Sequence, residues 1–167
     1  MGWLQQIARI LAEADRGICW TAPTGFPVVH EYRKAKARRI VTAERTLTVY
    51  KEDSTLELKE HSQVNAIVPN LIHSLDAAHM MLTVNRLHQE GLRHFAMIHD
   101  SYGVHACDVD EMNSVLREEF VRIYSEQVVA RFLCEQRTAN ADIELPEAPL
   151  QGDLDITAVL HSDYFFA

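Results

Sequence analysis

The chain has 167 residues, is 47% hydrophobic and 24% charged, and carries a formal net charge of −8. That apolar content suffices for a hydrophobic core at this length, which excludes a disordered tail and leaves one domain, or one piece of a larger one. Cys19, Cys107 and Cys134 are too few and too scattered for a disulfide framework, and no C-x-x-C pair suggests zinc, so a reducing cytoplasm is expected. The start "MGWLQQIARILAEADRG" lacks the basic lead and cleavage site of a secretory signal. Gln6 stands where a myristoylation start needs Ser or Thr. No apolar run approaches the roughly 20 residues of a membrane span, so a soluble chain with no membrane partner is expected.

In chain order, Trp3, Leu4, Ile7, Ile10 and Leu11 fall at helical spacing, and Gly17 is placed to close that helix. "ICWTAPTGFPVVHEY" reads as two short strands around a Pro23-Thr24-Gly25 turn, with Pro27 at a strand edge or start. Residues 33 to 51 read as a two-stranded ribbon whose tip lies at Thr42 to Arg45, because Ile40, Val41, Thr46, Thr48 and Val49 favour strands. Between His30 and Lys51, seven basic residues face only Glu31 and Glu44, a net +5 that leaves −13 for the rest. Lys34, Lys36 and Arg38 alternate onto one face of an extended strand. Such a cluster is either a solvated surface or a phosphate-contacting one.

"STLELKEHSQVNAIVPNLIHSLDAAHMMLTVNRLHQEG" is expected to be helical, capped by Ser54 or Thr55, kinked or divided at Pro69 and ended by Gly91. "HFAMIHDSYGVHACD" follows: an apolar run suited to a buried strand stops at His99-Asp100, turns over Ser101-Tyr102-Gly103 and returns through Val104. Asp108 with Glu111 resembles a capping box, opening a helix to about Gln136 whose apolar stripe is Met112, Leu116, Phe120, Ile123 and Tyr124. "ELPEAPLQGD" is a loop, and "ITAVLHSDYFFA" is a short final helix that ends in aromatics.

Two constellations carry chemistry. A carboxylate at a hairpin tip escapes burial while the strands hold it, and Mg²⁺ takes one or two such oxygens from protein. Phosphoryl transfer depends on metals so held, so Asp100 suits that role, with Gly103 allowing close backbone approach. The plain alternative is an Asp that hydrogen-bonds its own turn. His73, Asp76 and His79, at i, i+3 and i+6, share a helical arc as a metal site, a polar ligand-facing surface, or a satisfied His–Asp pair. The remaining histidines show no ligand-like spacing and are expected to be surface or packing residues.

"PNLIHSLDAAHM" (69–80), "FAMIHDSYGVHACD" (95–108) and the terminal "SDYFFA" (162–167) closely resemble the C-terminal part of single-subunit DNA-directed RNA polymerases of the phage and mitochondrial type. "WLQQIARILAE" and "TGFPVVHEYRK" look like the stretches that lead into that region, so the resemblance runs from about Trp3 to Ala167. It implies an α+β fold, a palm/fingers segment with helices around a catalytic β-hairpin (95–107) plus a basic ribbon (33–51). It also implies that Asp100 ligates catalytic Mg²⁺, that His99 sits beside the RNA 3′ end, and that Ser101 and Tyr102 shape the tip. His73 resembles the family residue that touches the minor groove near the growing end, which speaks against His73 as a metal ligand. Phe165, Phe166 and Ala167 resemble the family's C-terminal foot. The ribbon falls where the family carries its promoter-recognition hairpin, which agrees with the fit of a two-stranded ribbon to the major groove. Arg38, Arg39 and Arg45 are its candidates for DNA contact, to guanine or to phosphate.

The family also needs a second metal aspartate, a fingers-helix Lys and a Tyr-Gly that screens the sugar, and none of these is recognisable here. The expectation is therefore a C-terminal fragment, or one subunit of a split polymerase, inactive without a companion chain. Its partners would be promoter and template DNA, nascent RNA and nucleoside triphosphates, in the cytoplasm of a phage-infected bacterium. Surfaces meant for the missing part are expected to be exposed and apolar. Two other readings predict different outcomes. A small metal hydrolase would use His73, Asp76, His79 and Asp100, and a polymerase-derived DNA-binding module would use the ribbon without catalysis.

Overall fold

The computed structural model describes residues 2–52, 55–98 and 100–165. Helix α1 (Trp3–Glu13) buries Ile7, Ala8 and Leu11 along one face, as its apolar spacing requires. Its end departs from expectation. Asp15, not Gly17, takes the left-handed conformation (φ 54°), and the Arg16 N–H reaches back to the Leu11 carbonyl at 2.8 Å. Asp tolerates that conformation better than most residues. Here its carboxylate also accepts the Leu58 N–H at 2.9 Å, so the turn is fixed by a backbone amide 43 residues away.

Strands β1 (Ile18–Thr21) and β2 (Pro27–His30) pair antiparallel, with Pro27 opening its strand and Gly25 at φ 84° in the turn. Ile18 and Trp20 point into the core, while Cys19 and Thr21 face out. The ribbon forms as expected, from β3 (Ala35–Val41) and β4 (Thr46–Glu52), with Arg38 opposite Val49, Arg39 opposite Thr48 and Ile40 opposite Leu47. Thr42 closes the tip, its N–H and hydroxyl both donating to the Arg45 carbonyl.

Ser54 lies outside the described residues, and the helix expected from there starts later. Leu58 forms an antiparallel bridge with Arg33, and helix α2 runs from Glu60 to Glu90. Long-range pairing with the ribbon's base overrides the local helical pattern at 55–59. Pro69 does not divide α2. It costs one backbone hydrogen bond, to the carbonyl of Asn65, and both residues are exposed. Gly91, at φ 118°, ends the helix as expected.

The hairpin consists of β5 (Ala96–Ile98) and β6 (Ser101–Gly103), with Ile98 opposite Ser101. Ser101 to Gly103 are therefore strand, and Asp100 lies in the turn just before them. The expectation of a buried strand fails too, since Ile98 is 69% exposed and Ala96 is exposed. The single helix expected over 108–136 is two: α3 (Val109–Ser125) and α4 (Val128–Ala139), broken where Gln127 adopts φ 49°. Asp108 stands at the first cap position, but its side chain makes no capping bond; it accepts the Cys107 thiol instead. Residues 144–153 are irregular, and 156–161 form a 3-10 turn capped by Asp155.

The result is α+β, with small antiparallel sheets among helices. The main core joins α1, β1, α4 and the first half of α2 through Ile7, Leu11, Ile18, Trp20, Ile67 and Phe132. Phe132 meets both Trp3 and Trp20 edge-on, with centroids at 6.2 and 6.0 Å. A second cluster of Leu87, Leu92 and Val115, with Phe95, Val104 and Met112 packed on it, lies beneath the hairpin. Helix α2 thus spans both cores. No helix of the described residues is long and apolar enough to cross a membrane.

Candidate nucleic-acid and metal site

Asp100 is exposed, and among the described residues nothing donates to it or pairs with it. The hairpin that carries it is close-packed: a Cβ on Gly103 would lie 3.1 Å from the Ala96 carbonyl oxygen. Glycine at 103 therefore serves the strand-to-strand approach. A hard, unpartnered oxygen donor on a short hairpin fits a divalent cation with oxygen preference. Ser101 is exposed beside it, opposite Ile98. His99 lies outside the described residues.

Tyr102 does not face out beside Ser101. Its side chain is half-buried and turns inward, donating its hydroxyl to His79 Nδ1 at 3.2 Å. Burial, with the charges of Asp76 and Asp100 added, pushes the phenol up to about 12. It therefore stays a protonated donor at neutral pH. The same electrostatics put the Asp76 and Asp100 carboxylates within the field of one phenol.

His79 is buried, 5% exposed, and its Nε2–H donates to the Leu116 carbonyl at 2.8 Å. Both ring nitrogens are engaged, and burial holds its pKa below the ordinary histidine value despite the Leu116 bond. This overturns the metal-hydrolase reading of His73, Asp76 and His79. Among the described residues no group of three His, Cys, Asp or Glu could hold a metal ion. His73 and Asp76 remain exposed on α2.

A ladder of rings leads from the hairpin to the C-terminal segment. His79 meets Tyr102 at 5.9 Å and Phe120 at 5.7 Å, and Phe120 meets Phe165 at 4.9 Å. Arg117 covers Phe165 at 5.4 Å and donates to the carbonyls of Val159 and Ser162, which fastens the 156–165 segment to α3. Phe166 and Ala167 lie outside the described residues. Sequence reasoning missed Arg117, Phe120 and the inward role of His79. Phe120 stood in the predicted stripe, but no local signal pairs it with residues 79 and 165.

The ribbon differs from its expected charge. Arg33 does not point outward: it donates to Glu31 at 2.5 Å, to Asp15 at 3.4 Å and to the Leu56 carbonyl at 2.9 Å. Lys34 pairs with Glu57 at 2.6 Å. Two of the seven basic residues thus anchor the base. Arg38, Arg39 and Arg45 are exposed and make no ion pair with a described residue. Each face mixes cation with apolar surface, Arg38 with Ile40 and Val49 on one, Arg39 with Tyr50 and Val41 on the other. The ribbon's base adjoins the start of α2, whereas His79 lies 19 residues further along it, roughly 28 Å at the helical rise. His73 falls between them. A separate cleft of 540 Å³, lined by Asp110, Asn113, Arg117 and His161 among others, contains none of the expected site residues.

The family model described as DNA-dependent RNA polymerase matches residues 1–139, and the chain belongs to that family. It is 42% identical over 164 residues to DNA-directed RNA polymerase 1, mitochondrial, of Arabidopsis thaliana, covering 98% of this chain and 16% of that protein. DNA-directed RNA polymerase 2A of Nicotiana tabacum is 42% identical over 166 residues, covering 99% of this chain and 49% of that protein. DNA-directed RNA polymerase 2, chloroplastic/mitochondrial, of Nicotiana sylvestris is likewise 42% identical over 166 residues, with 16% of its length covered. The chain thus spans between about a sixth and a half of these relatives. The relatives also correct one expectation. Two of the three are named for mitochondria or for chloroplasts and mitochondria, so the cytoplasm of a phage-infected bacterium is not the setting the similarity indicates.

Proposed function

We propose that this chain is the C-terminal palm/fingers segment of a DNA-directed RNA polymerase and supplies Asp100 to template-dependent nucleotidyl transfer. One observation carries the reading: in a polymerase-family chain, Asp100 stands exposed and unpartnered among the described residues on a hairpin tied down from beneath. Mg²⁺ held there would neutralise charge on the phosphoryl oxygens during transfer. Asp100 provides one of the oxygens that fix it, and a second carboxylate comes from outside this chain. Ser101 flanks the carboxylate, and the role at the RNA 3′ end that the resemblance implies falls to His99. His73, exposed on α2 between hairpin and ribbon, contacts the minor groove of the product duplex. Arg38, Arg39 and Arg45 present cations to promoter DNA, and the residues around Phe165 form a foot braced on α3.

The partners are then template and promoter DNA, nascent RNA, nucleoside triphosphates and the rest of the polymerase, as a continuous chain or a companion. The test is nucleotide incorporation on a DNA template. The 167-residue chain alone incorporates nothing. Asp100→Asn in the polymerase that contains it lowers the rate at least about 10³-fold, with melting unchanged. Robust incorporation by the isolated chain, or by the Asp100→Asn polymerase, overturns the reading. A DNA-binding module without catalysis is the second reading, favoured by the exposed arginines of the ribbon; it predicts that Asp100→Asn is silent.

A further inference from the structure

Resting on the assignment of Asp100 to the metal, we propose that His79 is a positioning residue for that carboxylate, gripping the Tyr102 hydroxyl from α2 and thereby fixing the hairpin on which Asp100 stands. Strands of three residues make a hairpin that is marginal by itself, so its orientation depends on what lies beneath it. At the base, Phe95 and Val104 pack on the Leu87, Leu92 and Val115 cluster. Nearer the tip, Met97 and Tyr102 are the half-buried pair, and the Tyr102 hydroxyl is tied to His79 Nδ1 at 3.2 Å. Ile98 and Ser101, the last pair before Asp100, are exposed.

His79 suits this task for three reasons. Its Nε2–H is committed to the Leu116 carbonyl at 2.8 Å, which fixes the ring's tautomer and leaves Nδ1 as the acceptor. Its ring is wedged between Tyr102 and Phe120, so the acceptor cannot swing away. It also stands on α2, which is rooted in both hydrophobic clusters, so the grip refers the hairpin to the element that joins the two cores. Only Ser101 separates Tyr102 from Asp100, and a small tilt of the strand moves a metal ligand by enough to matter.

The experiment uses the polymerase that contains this chain, with Tyr102→Phe, His79→Leu, His79→Gln and Asp100→Asn. Readouts are the Mg²⁺ concentration for half-maximal incorporation, the nucleotide KM, the melting temperature, and amide hydrogen exchange at Ile98 to Gly103. Tyr102→Phe removes one oxygen atom. We expect it and His79→Leu to raise the Mg²⁺ requirement about three- to tenfold and speed exchange in the hairpin, leaving nucleotide KM unchanged. His79→Gln, whose amide can accept from Tyr102 and donate to Leu116, restores both. Should His79→Leu fail to fold, Tyr102→Phe decides. Wild-type Mg²⁺ dependence and exchange in Tyr102→Phe overturn the proposal, as does loss of activity with uniformly faster exchange through α2 and no rescue by Gln. If Asp100→Asn keeps full activity, the metal assignment fails instead, and the proposal falls with it.

Discussion

Two of the three antiparallel hairpins among the described residues are built on opposite plans. The ribbon β3/β4 has seven-residue strands exposed on both faces, held at its base by Arg33, Asp15 and the Lys34–Glu57 pair. The hairpin β5/β6 has three-residue strands seated on Phe95 and Val104 and pinned through Tyr102 to a buried histidine. A long, unsupported ribbon can follow the shape of what it touches, and its side chains contribute to binding with little effect on folding. A short hairpin with a braced underside gives up reach for fixed geometry. The two plans suit surface recognition and metal placement respectively.

The widest separation should come from charge removal. Asp100→Asn is expected to cost at least about 10³-fold in incorporation, while Arg38→Ala, Arg39→Ala or Arg45→Ala each weaken promoter binding by about three- to tenfold. Each arginine removed should also reduce the slope of log affinity against log salt by about 0.9, read by titration at several salt concentrations. An arginine variant as damaging to catalysis as Asp100→Asn would break the contrast.

Packing comes next. Phe95→Ala, beneath the short hairpin, should lower unfolding free energy by about 2 kcal/mol in denaturant titration. Ile40→Ala on the ribbon, where the side chain is 42% exposed, should change it by no more than about 0.5 kcal/mol. Equal effects would mean that the ribbon folds against something as the hairpin does.

The smallest effect is one of pH. Burial lowers the pKa of both His30 and His79 below the ordinary 6.5, so the unfolded chain takes up protons first as the pH falls. Stability is therefore full above pH 6.5 and declines from there towards the folded pKa values. Asp15 and Asp155, whose pKa values are lowered from 3.8, add their loss only at more acid pH. A drop of a few degrees in melting temperature between pH 7 and pH 5, reduced in His30→Gln, is the expected result. A flat profile would show that neither imidazole is buried as neutral.

How much of this was legible depends on the range of the interactions involved. Helix α1, the Pro23–Gly25 turn, the ribbon with its tip at Thr42 to Arg45, and the stop at Gly91 follow from spacing and turn chemistry, and the sequence shows them. What distant partners decide is not visible locally. Thr55 to Leu58 read as helix until Leu58 pairs with Arg33, and Asp15 outcompetes Gly17 for the helix end because Leu58 and Arg33 occupy its carboxylate. Nothing in "SEQVV" announces that Gln127 will break a helix; packing of α3 and α4 on different partners does. Asp100, the metal candidate, was read from its hairpin context and from resemblance. His79 was read as one of three possible ligands, since a period of three cannot tell a buried histidine from an exposed one.

Asp15 has a mechanical corollary. Because Asp15 closes the first helix with its backbone while its carboxylate receives the Leu58 amide and meets Arg33, the two legs of the ribbon are welded to the same block where they enter it. A protease that nicks the loop between Thr42 and Arg45 should therefore leave a clipped but undivided particle, its halves parting only when that weld is melted.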